Sequence, residues 1–265
     1  MITVAAVQYC ASDDAAVTLD RIYPLIADAA STARLVALPE AATYLAASRT
    51  HLQEIAEPAD NSFSQNRLAA MAREFDIWLL AGSLLLRCPR HGQLVNRSLL
   101  IAPDGSVAAQ YDKIHMFDVK LNKKETYAES KTFTAGKKIK VANLPWGKLG
   151  LSICYDLRFP NHYRTMAKRG ARFLAVPSNF LLNTGKRHWH SLLRARAIEN
   201  FCYVFAPAQY GTHDNGIKVF GHSLIISPDG KILKELKKGE GVIVQKIDVK
   251  LPQLLRNKIP SLNKN

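Results

Sequence analysis

Short apolar runs alternate along the chain with segments of helical periodicity. The apolar runs stand at residues 3–8, 34–39, 77–82, 149–154, 172–177 and 202–208. They have no polar face, which is typical of strands that are buried on both sides. Helices are predicted over residues 14–31 and 160–169, where Pro160 suits a first helical turn and Gly170 suits a helix end. The pattern therefore predicts the α/β fold class.

The second half of the chain repeats the first at an offset of 125 residues. SLLIAPDGSVAAQYDK (98–113) resembles SLIISPDGKILKELKK (223–238). The same offset aligns residues 68–82 with residues 193–207, so each half has a helical stretch, a buried strand and a hairpin turned by Pro-Asp-Gly. No Gly-, Ser- or Pro-rich linker separates the halves. We therefore expect residues 1–265 to form a single domain with two pseudo-symmetric halves, in which two similar sheets pack together and helices cover their outer sides.

The charge balance is basic, with 36 Lys and Arg residues against 22 Asp and Glu residues, a formal net charge of +14. Such a surface can attract nucleic acid or anionic substrates. The basic residues are mostly isolated lysines without regularly spaced aromatic neighbours, which argues against a nucleic-acid partner. The longest stretch free of charged residues, Asn200 to His213, is too short to span a membrane. With no basic leader at the start of the chain, we expect a cytoplasmic protein without a membrane partner.

The four cysteines, Cys10, Cys88, Cys154 and Cys202, form no Cys-x-x-Cys motif. This spacing argues against structural zinc and against a dithiol redox site. No histidine pair has a clear metal-ligand spacing either. We expect four free thiols in a reducing compartment, each of them either a small core residue or a nucleophile. A Cys–His protease arrangement stays open at this point, because its partners are distant in sequence.

Polar or reactive residues that could take part in catalysis follow the predicted strands. Glu40 follows the run at 34–39, Cys154 ends the run at 149–154, and Lys113 ends the first hairpin. Functional groups in α/β sheets gather at the carboxyl ends of strands. A thiol in a strand-to-helix turn, a buried carboxylate and a desolvated ammonium suit a nucleophile, a base and a charge stabiliser. The same residues equally suit a core cysteine, a cap and a solvated lysine, and spacing alone leaves both interpretations open.

Several segments resemble the carbon–nitrogen hydrolase (nitrilase) superfamily over about residues 2–261. They are LPEA around Glu40, YDKIHMFD around Lys113, ESKTFTAG around Glu129, GLSICYDLRFP around Cys154, and the run HWHSLLRARAIEN…YVFAPAQYGTH…GHSLIISPDG at 188–230. Within the superfamily the chain is most similar to the Nit branch of small amidases, which includes deaminated-glutathione amidases and ω-amidases.

The resemblance implies an αββα sandwich whose subunits pair into a four-layered αββααββα dimer through helices near the active-site face. It implies hydrolysis of a carboxamide C–N bond with release of ammonia and no metal or organic cofactor. Cys154 would be the nucleophile that carries a thioester, and Glu40 the general base. Lys113 and the backbone N–H of Tyr155 would hold the oxyanion, and Glu129 would be a second carboxylate near Lys113.

Substrate choice depends on residues where the chain departs from the family pattern. Ser178 and Asn179 stand where the family often has two small residues, and residues 119–126 are unusually rich in lysine. Both segments are expected to border the pocket. Arg158, close after the nucleophile, suits a substrate carboxylate, and equally suits a pair with Asp156 or a helix end.

The expected partner is thus a small carboxylate-bearing amide, and the expected assembly is a homodimer or higher homo-oligomer. The alternative enzymes are an N-carbamoyl amino acid amidohydrolase and a nitrile hydrolase. Outside enzymes, the alternative is a basic binding or scaffold protein.

Overall fold

The core of the protein consists of two β-sheets that pack face to face, each with helices on its outer side. The structure, a computed structural model, describes residues 1–88, 92–122 and 125–262. The helices are α1 (Ala15–Ala30), α2 (Arg49–Ile55), α3 (Phe63–Glu74), α4 (Pro160–Lys168), α5 (Leu182–Asn200) and α6 (Leu251–Lys258). The strands are β1 (Ile2–Gln8), β2 (Leu35–Ala37), β3 (Glu57–Pro58), β4 (Trp78–Leu80), β5 (Leu84–Arg87), β6 (Leu94–Ile101), β7 (Val107–Asp112), β8 (Asp118–Lys120), β9 (Thr126–Ala128), β10 (Lys140–Leu144), β11 (Gly147–Leu151), β12 (Ala171–Ala175), β13 (Tyr203–Ala206), β14 (Tyr210–Thr212), β15 (Lys218–Phe220), β16 (Ser223–Ile226), β17 (Ile232–Leu236) and β18 (Gly241–Ile247).

The two sheets have the same sequence of strand directions. The first has the order β18-β1-β2-β4-β6-β5-β3, with β7 on the other side of β6, and the second has the order β10-β11-β12-β13-β16-β17. In both, two parallel pairings are followed by an antiparallel one, β1-β2-β4-β6 in the first and β11-β12-β13-β16 in the second. Ser98 pairs with Tyr111 in the first sheet, and Ser223 pairs with Leu236 in the second. The predicted repeat is confirmed, because both members of this pair are shifted by the same offset of 125 residues.

Helices α1 and α3 cover the outer face of the first sheet, and α4 and α5 cover the outer face of the second. Successive side chains of β1 point to opposite faces of the first sheet. Val4 and Ala6 belong to the hydrophobic cluster between the two sheets, whereas Ala5 and Val7 belong to the cluster formed with α1 and α3. This double burial explains why the strands lack a polar face. The layered αββα sandwich expected from the sequence is confirmed.

Element boundaries follow local chemistry. The predicted helix at 14–31 is α1, and it begins after Asp14, whose carboxylate accepts a hydrogen bond from the Val17 N–H at 3.0 Å. The predicted helix at 160–169 is α4, with Pro160 in its first turn and Gly170 in the left-handed region after it. The predicted strands at 77–82, 149–154 and 172–177 run past the observed β4, β11 and β12, because the apolar sequence continues into buried loops.

Those buried loops carry polar residues at one edge of the sandwich. Gly82, in the loop after β4, has φ +50° and packs against the loop after β2. A Cβ atom at this position would lie 1.8 Å from the Pro39 carbonyl oxygen, so only glycine allows this close approach beside Glu40.

Among the helices in the described part of the chain, none is long and apolar enough to cross a membrane.

Candidate active site

Glu40, Lys113 and Cys154 lie together at one cavity of about 400 Å³. Glu40 stands in the loop after β2, Lys113 directly follows β7, and Cys154 begins a short 3₁₀ segment, Cys154–Arg158, after β11. The three residues are 6%, 2% and 9% exposed, so water has little access to them. The predicted convergence of these strand ends is therefore present, although the residues are far apart in sequence.

A sharp turn presents the Cys154 thiol to the cavity. Cys154 has φ +45°, a left-handed conformation that is uncommon for residues other than glycine, and its N–H donates to the Pro177 carbonyl at 2.9 Å. Strain of this kind persists only where the surroundings fix the backbone. The anchor to Pro177 connects the turn to the chain that leaves β12.

The Asp156 side chain holds the same turn through several buried hydrogen bonds. Its fully buried carboxylate accepts hydrogen bonds from the Ile153 N–H at 2.8 Å, the Tyr111 hydroxyl at 2.7 Å, and the His115 N–H and ring Nδ1 at 3.1 and 2.6 Å. Burial opposes the ionised form, but the His115 ring and the other donors lower the pKa of Asp156. Because Tyr111 and His115 flank Lys113, this carboxylate ties the Cys154 turn to the lysine-bearing segment.

Asp156→Asn is expected to lower the free energy of unfolding by about 2–3 kcal/mol, since an amide cannot accept four hydrogen bonds as an anion does. The lowered pKa of Asp156 means that the carboxylate stabilises the fold above the unfolded-state pKa, about 3.9. That stabilisation is lost as pH falls through the lower folded-state value. Denaturant titrations between pH 7 and pH 3 measure both effects.

Asp28→Asn, at an exposed helical position, is the matched control. We expect it to leave the unfolding free energy within about 0.5 kcal/mol of the parent. Equal stability of Asp156→Asn and the parent at pH 7 would contradict the role of Asp156.

Lys113 lies between two carboxylates. Its Nζ donates to Glu40 Oε1 at 2.9 Å and lies 2.9 Å from both Glu129 carboxylate oxygens. Burial alone disfavours the ammonium, but Glu129 and Glu40 together raise the pKa of Lys113 well above its usual value. Lys113 is therefore a fixed positive charge close to the Cys154 thiol.

The Cys154 thiol faces the Glu40 carboxylate. Burial, together with the negative charge of Glu40, raises the pKa of the thiol well above its usual value, although Lys113 and the Asn179 N–H act in the opposite direction. The Asn179 N–H also donates to Glu40 Oε2 at 2.9 Å. To act as a nucleophile, the Cys154 thiol would therefore need a base, and Glu40 is positioned to be that base.

Asn96 is a member of this network that sequence reasoning missed. Its side-chain Nδ2 donates to Glu40 Oε1 at 3.0 Å and lies 3.5 Å from Glu129 Oε1. Its backbone carbonyl accepts from the Lys113 N–H at 2.9 Å. Glu129 is also held by the Phe117 N–H, which donates to its Oε2 at 2.6 Å. The available signal was a buried amide near the start of the mostly apolar strand β6.

Tyr155 and Arg158 line the cavity beside the nucleophile. The Arg158 guanidinium lies 5.9 Å from the centre of the Tyr155 ring and 5.4 Å from that of Phe180, and both of its terminal nitrogens lie 3.3 Å from His188 Nδ1. Burial and the Arg158 charge lower the pKa of His188. The suggested pair between Arg158 and Asp156 is wrong, because Asp156 is occupied behind the turn. Arg158 instead contacts His188 and lines the cavity wall.

Ser178 does not reach the cavity. It is fully buried, and its hydroxyl donates to the Val176 carbonyl at 3.1 Å. Successive side chains of extended chain point to opposite sides, so Asn179, and not Ser178, lines the cavity. Contrary to the expectation from the sequence, Ser178 therefore does not border the cavity. The lysine-rich segment 119–126 lies partly outside the described residues, and its described residues do not line the cavity.

Within residues 1–88, 92–122 and 125–262, two clusters hold residue types that can bind a metal ion. They are His115, Asp156 and His162, and His190, His222 and Glu235. In the second cluster His190 Nε2 and His222 Nδ1 lie 2.9 and 2.6 Å from the same Glu235 oxygen. These contacts have hydrogen-bond geometry, with both imidazoles donating to one carboxylate oxygen. His188 and His190 point to different faces of α5, since His188 contacts Arg158 and His190 contacts Glu235.

Comparison with known proteins relates this arrangement to a family. The family model described as "Carbon-nitrogen hydrolase" matches residues 3–257. The chain is 40% identical over 233 residues to "Deaminated glutathione amidase" of Synechocystis sp., covering 87% of this chain and 85% of that protein. It is 32% identical over 229 residues to "Omega-amidase NIT3" of Saccharomyces cerevisiae, covering 86% and 79%. The crystal structure of the Caenorhabditis elegans NitFhit protein matches with a TM-score of 0.93 and 33% identity, covering all of this chain and 65% of that one.

Proposed function

This chain belongs to the carbon–nitrogen hydrolase family, and from that premise we propose that it hydrolyses the carboxamide of a small carboxylate-bearing molecule through a cysteine thioester. The observation that carries the proposal is a buried thiol, carboxylate and ammonium at one cavity. The names of the similar relatives, a deaminated glutathione amidase and an omega-amidase, support an amide substrate. Arg158, a cation at the cavity wall, supports a carboxylate on that substrate.

In the acylation step Glu40 takes the thiol proton while Cys154 Sγ attacks the carboxamide carbon. The carbonyl oxygen becomes an oxyanion, which the Lys113 ammonium and the Tyr155 N–H stabilise. The protonated Glu40 then gives its proton to the amide nitrogen. The C–N bond breaks, ammonia leaves, and the acyl group stays on Cys154 as a thioester.

In the deacylation step Glu40 is again a carboxylate and removes a proton from water as the water oxygen attacks the thioester carbon. Lys113 stabilises the second oxyanion in the same place. The C–S bond breaks, the sulfur recovers its proton from Glu40, and the carboxylic acid is released. Amide and water thus give acid and ammonia, and Glu129 acts throughout by holding Lys113.

A panel of candidate substrates tests the proposal by the amount of acid formed and of ammonia or amine released. It contains deaminated glutathione, α-ketoglutaramate, succinamate, an N-carbamoyl amino acid and simple nitriles. We expect kcat/KM to be highest for one of the carboxylate-bearing amides, and intact-protein mass spectrometry to detect the acyl group on Cys154 when the reaction is quenched. Hydrolysis of nitriles or of the N-carbamoyl compound alone would replace this proposal with the corresponding alternative activity.

Arg158→Gln is expected to raise KM for a carboxylate-bearing amide about 10- to 100-fold, the effect of losing a hydrogen bond to a charged group. An uncharged amide of the same length should change by less than about threefold. Arg187→Gln, at an exposed position on α5, is the control that alters the net charge equally. A uniform fall in activity for charged and uncharged amides would contradict carboxylate binding by Arg158.

We further propose that residues 1–265 act as one domain that forms a homodimer, as expected for a small enzyme of this size. Exposed apolar side chains on α5 and α6, Ile198 at 44% and Leu254 at 50%, support an additional contact surface. Light scattering coupled to gel filtration measures the assembly.

The four cysteines are free, which supports a reducing compartment such as the cytoplasm.

A further inference from the structure

Two histidines and a glutamate form a cluster in the second half of the chain that the catalytic steps above do not use. His190 lies on α5, His222 directly precedes β16, and Glu235 lies on β17. His190 Nε2 and His222 Nδ1 lie 2.9 and 2.6 Å from Glu235 Oε1, and the three atoms lie within 4.8 Å of one another. The side chains are 34%, 21% and 18% exposed, so solvent and dissolved ions reach the cluster.

The surrounding structure fixes the two imidazole rings. His222 has φ +55°, in the left-handed region, and its carbonyl accepts a hydrogen bond from Trp189 Nε1 at 2.8 Å. Its ring stacks on the Phe220 ring, with the ring centres 4.1 Å apart. The His190 ring packs edge-on against both, with its centre 5.3 Å from that of His222 and 6.0 Å from that of Phe220. Groups held in this way lose little conformational freedom when they bind an ion.

The ring protons can leave the point where the three side chains meet. A neutral imidazole can carry its proton on either nitrogen, so the proton can move to His190 Nδ1 or to His222 Nε2. Among the residues that the structure describes, these two nitrogens have no other hydrogen-bond partner. Two imidazole lone pairs and a carboxylate oxygen then converge. Three acceptors at one point require a cation, and its binding selects this tautomer whichever one the free protein has.

We propose that His190, His222 and Glu235 bind one divalent transition-metal ion of the Zn²⁺ type, with water as the fourth ligand. Imidazole nitrogen and carboxylate oxygen bind Zn²⁺ at about 2.0–2.2 Å, and a tetrahedral shell of that size separates its ligand atoms by roughly 3.3 Å. The two nitrogens therefore have to move from Glu235 Oε1 by less than about 1 Å. The ion joins α5 to β17 and to the start of β16, and it stabilises the fold without taking part in the proposed hydrolysis.

Calorimetric titration of the untagged, chelator-treated protein with ZnCl₂ tests the site. We expect the parent to bind Zn²⁺ at a site that His190→Ala and Glu235→Gln each weaken at least about tenfold, the effect of losing one ligand. His51→Ala is the matched control, since the His51 side chain is 32% exposed and lies outside the cluster. It should bind Zn²⁺ as the parent does. Mg²⁺, which prefers a shell of oxygen ligands, should not compete.

Thermal melting provides a second measurement. A hundredfold excess of free Zn²⁺ over Kd should raise the melting temperature of the parent and of His51→Ala by about 5 °C, and leave that of the two cluster variants unchanged. Melting without Zn²⁺ establishes that each variant is folded.

Replacement of Zn²⁺ by Co²⁺ identifies the ligands. The parent should show the visible bands of Co²⁺ bound to nitrogen and oxygen, and these bands should be absent from His190→Ala and Glu235→Gln. Failure of the parent to bind Zn²⁺, or equal binding of the ions by the parent and both cluster variants, would overturn the site. Either result leaves the amidase proposal untouched, because ammonia release is measured separately.

Discussion

Cys154→Ala is expected to reduce ammonia release at least about 10⁴-fold, because the proposed acyl intermediate forms on the sulfur that is removed. Cys154→Ser should be similarly inactive, since a hydroxyl holds its proton more tightly than a thiol whose pKa is already raised by burial. The free energy of unfolding should change by no more than about 1 kcal/mol, because only one atom is removed or replaced. Ammonia assays and thermal melting measure both quantities.

Cys202→Ala is the matched control, for which we expect a loss of stability without a loss of activity. Cys202 is fully buried beneath α6, where its sulfur donates to the Ala171 and Asn200 carbonyls and contacts Arg256. Its removal should lower stability by about 1 kcal/mol and leave ammonia release unchanged. Full activity in Cys154→Ala or Cys154→Ser would exclude Cys154 as the nucleophile.

Lys113→Met is expected to lower kcat/KM about 10³-fold and the free energy of unfolding by about 3–5 kcal/mol. The activity falls because the oxyanion loses its positive charge. The stability falls because Glu40 and Glu129 are left as two buried carboxylates without a cation between them. Steady-state kinetics and guanidinium unfolding measure the two losses separately.

A second substitution distinguishes the two effects. Lys113→Met combined with Glu129→Gln removes one of the unpaired charges, so it should recover about half of the lost stability without recovering activity. Lys138→Met, at an exposed position, controls for loss of a lysine and should match the parent in both measurements. Recovery of activity in the double variant would show that Lys113 acts only by neutralising Glu129.

The sandwich was predictable because its strands are buried on both sides. Apolar runs without a polar face, as in β2 and β13, have few alternatives in a chain of this size. The internal repeat also indicated that the two hairpins pair in the same register, since an offset of 125 residues converts the pairing of β6 with β7 into that of β16 with β17. Strand ends were less predictable, because residues such as Ile153 are buried in loops by the fold and not by strand pairing.

The candidate site was predictable only where strand ends carry distinctive residue types. Glu40, Lys113 and Cys154 follow strands whose ends meet at one edge, so their proximity could be inferred. Asn96 and Asp156 could not be placed, because their partners are brought close by packing between segments distant in the sequence. The catalytic roles stay predictions until the variants above are measured.

The charge arrangement around Lys113 has a consequence for turnover. One ammonium faces two carboxylates, so the inner end of the cavity has an excess of negative charge. The amide enters there as a neutral group, but hydrolysis converts it into an anion beside Glu40. Since like charges at short range repel, we expect the newly formed acid to be expelled after each cycle, and product inhibition to be weak even when the acid accumulates.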